Sequence, residues 1–324
     1  MAKRKTAPAV APRPPVEDKK RSAETMAALD KLRYEKDGAT KRRDAWLLVT
    51  GAAALRDFGV LHDFALEHGL IRSCEDGEKV WTNPVDGSEM VWIPGGSFYL
   101  GGDRRRVECA GFSMARYPVT NEQFKRFLDA TKYQPPEEHP TPEAFLSHWS
   151  GGTFPKGLER HPVVFVSFID ALAYCQWAKL TLPTEWAWEK AARGTDGRSH
   201  PWGNDTAARS IAQIANVGTK GTTPVDKYPR TRSAYGCEDM VGNVSEWCQT
   251  TPDDDPSLLP PLPPEVEIPE DEDEIPLTVV RGSCFLRAAG PTTVCWHRRR
   301  LSIIRRNYWT GFRPALLLPC KPAN

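Results

Sequence analysis

Between residues 86 and 318, helix-type apolar periodicity recurs only in short windows closed by their own caps, so this stretch can fold only around a few short helices held among strands and loops. In NEQFKRFLDA, Thr120 is placed to cap the first turn, because its hydroxyl accepts from an orphan amide, and Phe124, Phe127 and Leu128 form one apolar stripe. In SFIDALAYCQWAKL, Ser167 stands three residues before Asp170, close to a capping box, with Ala171, Tyr174, Cys175 and Ala178 on one face. PTEWAWEKAARG opens on Pro183 and Thr184 and stops at Gly194. A domain poor in regular structure needs large buried anchors, and the chain holds 11 tryptophans. Trp186, Trp188, Trp202 and Trp247 are expected in the core, with their indole N–H groups on backbone partners.

The remainder of the chain divides by composition. Residues 1–22 mix Lys, Arg, Pro and Ala with almost nothing to bury, which predicts a disordered basic arm. Residues 23–80 carry Met26, Leu29, Leu32, Trp46, Leu47, Leu55 and Phe58 at helix-like spacing, which predicts a helical segment. VWTNPVDGSEMVWIPGG then switches to short alternating strands with Asp-Gly turn chemistry. Residues 251–277 are acidic and full of proline, cannot build a core, and read as a solvated insertion between two strands of the domain 86–318.

Lys plus Arg number 43 against 42 for Asp plus Glu, so the chain exerts no global pull on nucleic acid or an anionic membrane, and neither is an expected partner. Its eight cysteines form no C-x-x-C pair, which argues against a zinc ribbon or a thioredoxin-type site. No apolar run approaches the ~20 residues of a membrane span, and the start lacks the apolar core of a secretory signal. The expectation is a cytoplasmic protein with mostly reduced thiols.

Six phrases occur in a fixed order: EMVWIPGGSFYLGG, YPVTNEQFKRFL, HPVVFVSFIDALAYCQWAKLTLPTEWAWEKAARG, HPWGN, TTPVDKYPRTRSAYGCEDMVGNVSEWC, and VVRGS with YWTGFRPAL. Together they resemble the formylglycine-generating enzyme (sulfatase-modifying factor) family. The resemblance implies an irregular α+β domain related to C-type lectins, with few helices and short strands. It does not by itself carry function.

In that family's founding enzyme, two cysteines after a G-G-S segment bind copper(I) as soft thiolates and support oxygen-dependent conversion of a substrate cysteine to formylglycine. Counted from Ser283, the first falls on Leu286 and the second near Gly290 or Pro291, so copper is not expected here. Strand alternation would place Cys284 on the same face as Leu286 as a displaced thiolate, which leaves Cys284, Ser283 and Cys295 as weak catalytic candidates for an oxidoreductase. Cys295, in a C-x-x-R pattern with Arg298, also reads as a buried structural thiol. Iron-dependent branches carry a His-rich helical domain that the seven histidines of this chain do not supply, which argues against iron. The resemblance also implies one structural calcium ion, held by the side chains of Asp239 and Glu246 and the carbonyls of Gly242 and Val244.

The stretch from Gly282 to Leu316 lacks Lys, Glu, Gln, Met and Asp but is rich in Arg and aromatic residues, the usual anchors of interfaces. Trp296, His297, Arg298, Arg300, Arg305, Tyr308 and Trp309 are therefore expected to bind a protein or small-molecule ligand, whereas Arg306 and Arg313 read as structural. Some C-type-lectin-like relatives are variable proteins of diversity-generating retroelements, mutated only at adenines between G-G-S and G-F-R. Asn codons mutated in that way cannot yield Lys, Glu, Gln, Met or Trp, so Trp296 and Trp309 would belong to fixed codons. A binding module of this kind is the leading expectation. A displaced-site oxidoreductase and a degenerate copy that scaffolds a neighbouring enzyme are the alternatives.

Overall fold

The computed structural model describes residues 80–135, 144–204, 211–212, 214–249 and 277–317. The expected basic arm lies outside them, as do the helical segment 23–80 and the insertion 251–277 apart from their last residues, Val80 and Leu277, which belong to strands. Strands β1 (Val80–Thr82), β2 (Glu89–Ile93), β3 (Gly96–Leu100), β4 (Arg105–Cys109) and β5 (Phe112–Ala115) come first. Helices α1 (Asn121–Thr131), α2 (Phe168–Trp177) and α3 (Glu185–Arg193) follow. Strands β6 (Ser245–Cys248), β7 (Leu277–Arg281), β8 (Arg298–Ser302), β9 (Thr310–Gly311) and β10 (Ala315–Leu317) complete an α+β domain of few helices and many short strands.

The helices form where the caps put them. Thr120 accepts from the Gln123 amide and Ser167 from the Asp170 amide, and in each case the third residue's side chain returns a bond to the cap backbone. Thr184 caps α3, and Gly194 ends it at φ 71°. Asp170 does more than cap. Its carboxylate also accepts from Arg306 Nε at 2.9 Å and the Tyr133 hydroxyl at 2.8 Å, which pins α2 to the chain after β8.

Two four-stranded sheets carry the domain, and β3 and β4 pair in a two-stranded sheet of their own. One four-stranded sheet runs β1-β2-β5-β10, so β10, near the end of the described chain, lies beside β5. The other runs β8-β7-β6-β9, with β6 and β9 parallel. A core of Phe124, Phe127, Tyr174, Trp247 and Phe312 packs around α1 and α2, and a second of Val91, Met114, Trp188, Met240 and Cys295 packs around α3. Trp186, Trp188 and Trp247 are buried as expected, whereas Trp202 is only half-buried and stacks on His200. The Trp247 indole N–H donates to the Val166 carbonyl, but that of Trp188 donates to a carboxylate, Glu246 Oε2, at 2.7 Å.

That carboxylate belongs to the ion pair that joins the two sheets. Arg313, fully buried, donates from Nε and Nη2 to the two oxygens of Glu246 at 2.6 and 2.7 Å, and its other N–H groups reach the carbonyls of Ala115, Arg116 and Glu238. All five guanidinium donors are thereby used. Among the described residues no helix is long and apolar enough to cross a membrane. Arg313→Leu should leave the buried Glu246 carboxyl without its partner, at a cost of about 3–5 kcal/mol in urea unfolding; a loss below about 1 kcal/mol would mean that the pair does not hold the sheets together.

Candidate ligand-binding site

The site grows from the end of β7. Gly282 turns the chain at φ +73°, where a Cβ would stand 3.0 Å from the Met240 carbonyl oxygen, so only glycine fits this bend without strain. The next residues are held by backbone bonds instead of a strand ladder. The Gly242 amide donates to the Ser283 carbonyl at 3.0 Å and the Phe285 amide to the Asn243 carbonyl at 2.9 Å. The strand alternation expected to put Cys284 and Leu286 on one face therefore fails, because the strand stops at Arg281. Cys284 is 3% exposed and Leu286 is 42% exposed.

No thiolate pair results. Burial pushes the Cys284 thiol above its usual range and pushes Cys295, fully buried beside Glu189, up as well. Thiols so placed are protonated at neutral pH and poor soft-metal ligands.

A cavity of about 210 Å³ opens between this turn and β8, with Ser283, Leu286, Arg287, His297, Arg299 and Trp309 among its walls. Strand pairing explains Arg299: it is the cross-strand partner of Val280, which also lines the cavity, so the two project to the same side of the sheet. Its guanidinium lies over the Trp309 ring, 5.2 Å from the centroid. Burial lowers the His297 pKa, with Arg281, Arg287 and Arg299 reinforcing the effect, so the imidazole is neutral around pH 7 and the cavity's positive charge comes from arginines.

The expected binding set therefore divides. His297 and Trp309 line the cavity. Trp296 lies elsewhere, with the Arg193 guanidinium 4.6 Å from its ring. Arg298 pairs with Glu185 at 2.8 Å, and Arg300, two residues on, shares its side of β8. Arg305 is exposed in the turn after β8, and Tyr308 is 44% exposed between the rings of Phe165 and Phe285. The charged cavity residues missing from that set are Arg287 and Arg299. The period of two in the run RRRLS was the available signal, since it separates Arg299 from Arg298 and Arg300.

The turn named for calcium lies directly beneath. Asp239 and Asn243 hold left-handed backbone at φ 58° and 59°, and Asn243 Nδ2 donates to Asp239 Oδ2 at 2.8 Å. Burial pushes the Asp239 carboxyl up to about 7, against the lowering effect of the Asn243 hydrogen bond and of Arg313. Glu246 already receives Arg313 and Trp188, which leaves one lone-pair direction on Oε1 for any further partner.

The model of the sulfatase-modifying factor enzyme 1-like domain matches residues 77–317. The chain belongs to this family. It is 33% identical over 214 residues to a formylglycine-generating enzyme of Thermomonospora curvata, covering 49% of this chain and 70% of that protein. It is 32% identical over 212 residues to the inactive C-alpha-formylglycine-generating enzyme 2 of Mus musculus, covering 50% of this chain and 68% of the relative. Among solved structures, PvdO from Pseudomonas aeruginosa superposes with a TM-score of 0.55 at 25% identity over 73% of this chain and 97% of its own. Treponema denticola variable protein 1 shares the fold, with a TM-score of 0.51 at 20% identity over 74% of this chain and 99% of its own. This sulfatase-modifying factor domain thus keeps the family's architecture.

Proposed function

We propose that this sulfatase-modifying factor domain is a binding module and not an oxidase, and that its ligand, a protein segment or small molecule, enters the cavity between the 282–287 turn and β8. One observation carries the reading. Leu286, where the resemblance places the founding enzyme's first metal-binding thiol, is exposed at the rim of a cavity walled by Trp309, Arg299 and His297, and the neighbouring thiol, Cys284, is buried and protonated. The exposed Tyr308 ring extends the apolar rim through its contact with Phe285. Exposed aromatic and Arg side chains beside a concave site are the composition of a recognition surface.

The same surface supports a finer reading, a retroelement-diversified variable protein. Leu286, Arg287, Arg299, Arg300, Arg305 and Tyr308 are all exposed and all reachable from Asn codons by adenine mutation, while the buried positions around them hold the fold. A near-copy of the codons for residues 282–313 in the flanking DNA, differing only at adenines, is the result expected; its absence leaves a binding module of fixed sequence. Calcium belongs to the proposal as a structural ion at Asp239, with the Gly242 and Val244 carbonyls and Glu246. Adding calcium to chelator-treated protein should raise its melting temperature, and Asp239→Ala should abolish that rise; equal melting with and without calcium would remove the ion from the reading.

Protein charged with copper(I) and supplied with oxygen and a cysteine-containing peptide should neither consume oxygen above a protein-free control nor convert the peptide's cysteine. Turnover that disappears in Cys284→Ser would overturn the binding-module reading in favour of an oxidoreductase with a displaced site.

A further inference from the structure

The cavity also has a chemistry that narrows what it can take, and this step rests on the binding-module reading. Ser283 is 1% exposed, and its Oγ has no hydrogen-bond partner among the described residues, although it lines the cavity wall. A buried hydroxyl left unpaired is costly, and a ligand atom that accepts its proton removes the cost. Arg287 and Arg299 face the same space, and neither has a carboxylate within ion-pair distance among the described residues. The neighbouring acids are already engaged, Glu185 by Arg298 and Glu246 by Arg313. The Arg299 guanidinium lies over the Trp309 ring, 5.2 Å from its centroid, and with no carboxylate paired to it among the described residues its N–H groups can take a planar or tetrahedral oxyanion. Val280, Leu286 and Trp309 supply the apolar part of the wall, beside the polar Ser245 and His297.

We infer that this cavity binds the oxyanion of a small amphipathic ligand, a carboxylate or phosphate carried on an apolar or aromatic group, with Ser283 Oγ donating to the anion, Arg299 and Arg287 neutralising it, and the apolar group lying against Trp309. The positive field is set by residues that stay charged at any physiological pH. His297, neutral there, serves as a hydrogen-bonding wall and not as part of the charge.

Benzoate, phenyl phosphate and the uncharged isostere benzamide, titrated into the full chain and followed by ligand-observed NMR, test the inference. Saturable binding of benzoate or phenyl phosphate, with benzamide weaker by about tenfold or more, is expected, because a charge-assisted hydrogen bond is lost with the charge. The stronger of the two anions identifies carboxylate or phosphate as the source. Arg299→Gln should weaken the anions and leave benzamide unchanged. Ser283→Ala should weaken them too, without lowering the melting temperature, since the hydroxyl it removes makes no bond in the free protein. Equal binding of benzamide and the anions, or undiminished anion binding by Arg299→Gln, would overturn the inference and leave the binding module standing. If none of the three probes binds, the inference is overturned, while the binding-module reading stands or falls on the copper(I) and oxygen assay.

Discussion

The domain depends on one buried ion pair. Glu246 on β6 and Arg313 just before β10 meet with no solvent exposure, and the guanidinium spends its remaining donors on carbonyls at the end of β5 and in the 238–239 segment. A charge pair so deep is stable only when every donor is used and the geometry is good. The consequence is geometric. The segments that supply those partners come from three distant parts of the chain, so the pair is fully satisfied only when all of them are in place. Hydrophobic burial around Trp188 and Trp247 supplies the general drive, and the ion pair fixes which strands become neighbours.

The same pair ties the structural turn to the site. Glu246 follows directly from the turn that contains Asp239, Gly242 and Asn243, and that turn donates the Gly242 amide and the Asn243 carbonyl that clasp residues 283–285. At Gly242 a Cβ would stand 2.8 Å from the Asn216 carbonyl oxygen, so the close approach of these two segments requires glycine there. Rigid support under a short irregular turn is what keeps Ser283 and Cys284 buried at the cavity wall while Leu286 reaches solvent. A second buried set, Glu189 with Arg193 and Arg281, anchors the end of β7 from the other side and draws Trp296 onto Arg193, away from the cavity.

Much of the scaffold was legible in the residues because its signals are local. Thr120, Ser167, Thr184 and Gly194 mark the three helices through bonds that span only a few residues, and the structure keeps each of them. Arg306 and Arg313 read as structural and are, one on Asp170 and the other on Glu246. The site was less legible. Alternation continued past Arg281 would reach Leu286, but Gly282 ends the strand, and no local pattern distinguishes a glycine that ends a strand from one that merely bends it. Trp296 and Trp309 look equivalent in an Arg-rich run, yet the guanidinium over one ring is that of Arg193 and over the other that of Arg299.

The sequence by itself determined the helices and the family architecture, because caps and ordered motifs need no knowledge of what lies across the fold. Only the tertiary structure decided which arginines are spoken for and which face the cavity. Arg298 and Arg299 are adjacent and chemically identical, and they part company because β8 pairs with β7: the pleat sends one toward Glu185 on α3 and the other across the sheet toward Trp309. A charge acquires its role from the partner that burial and strand register bring to it, and those partners lie more than a hundred residues away in one case and ten in the other.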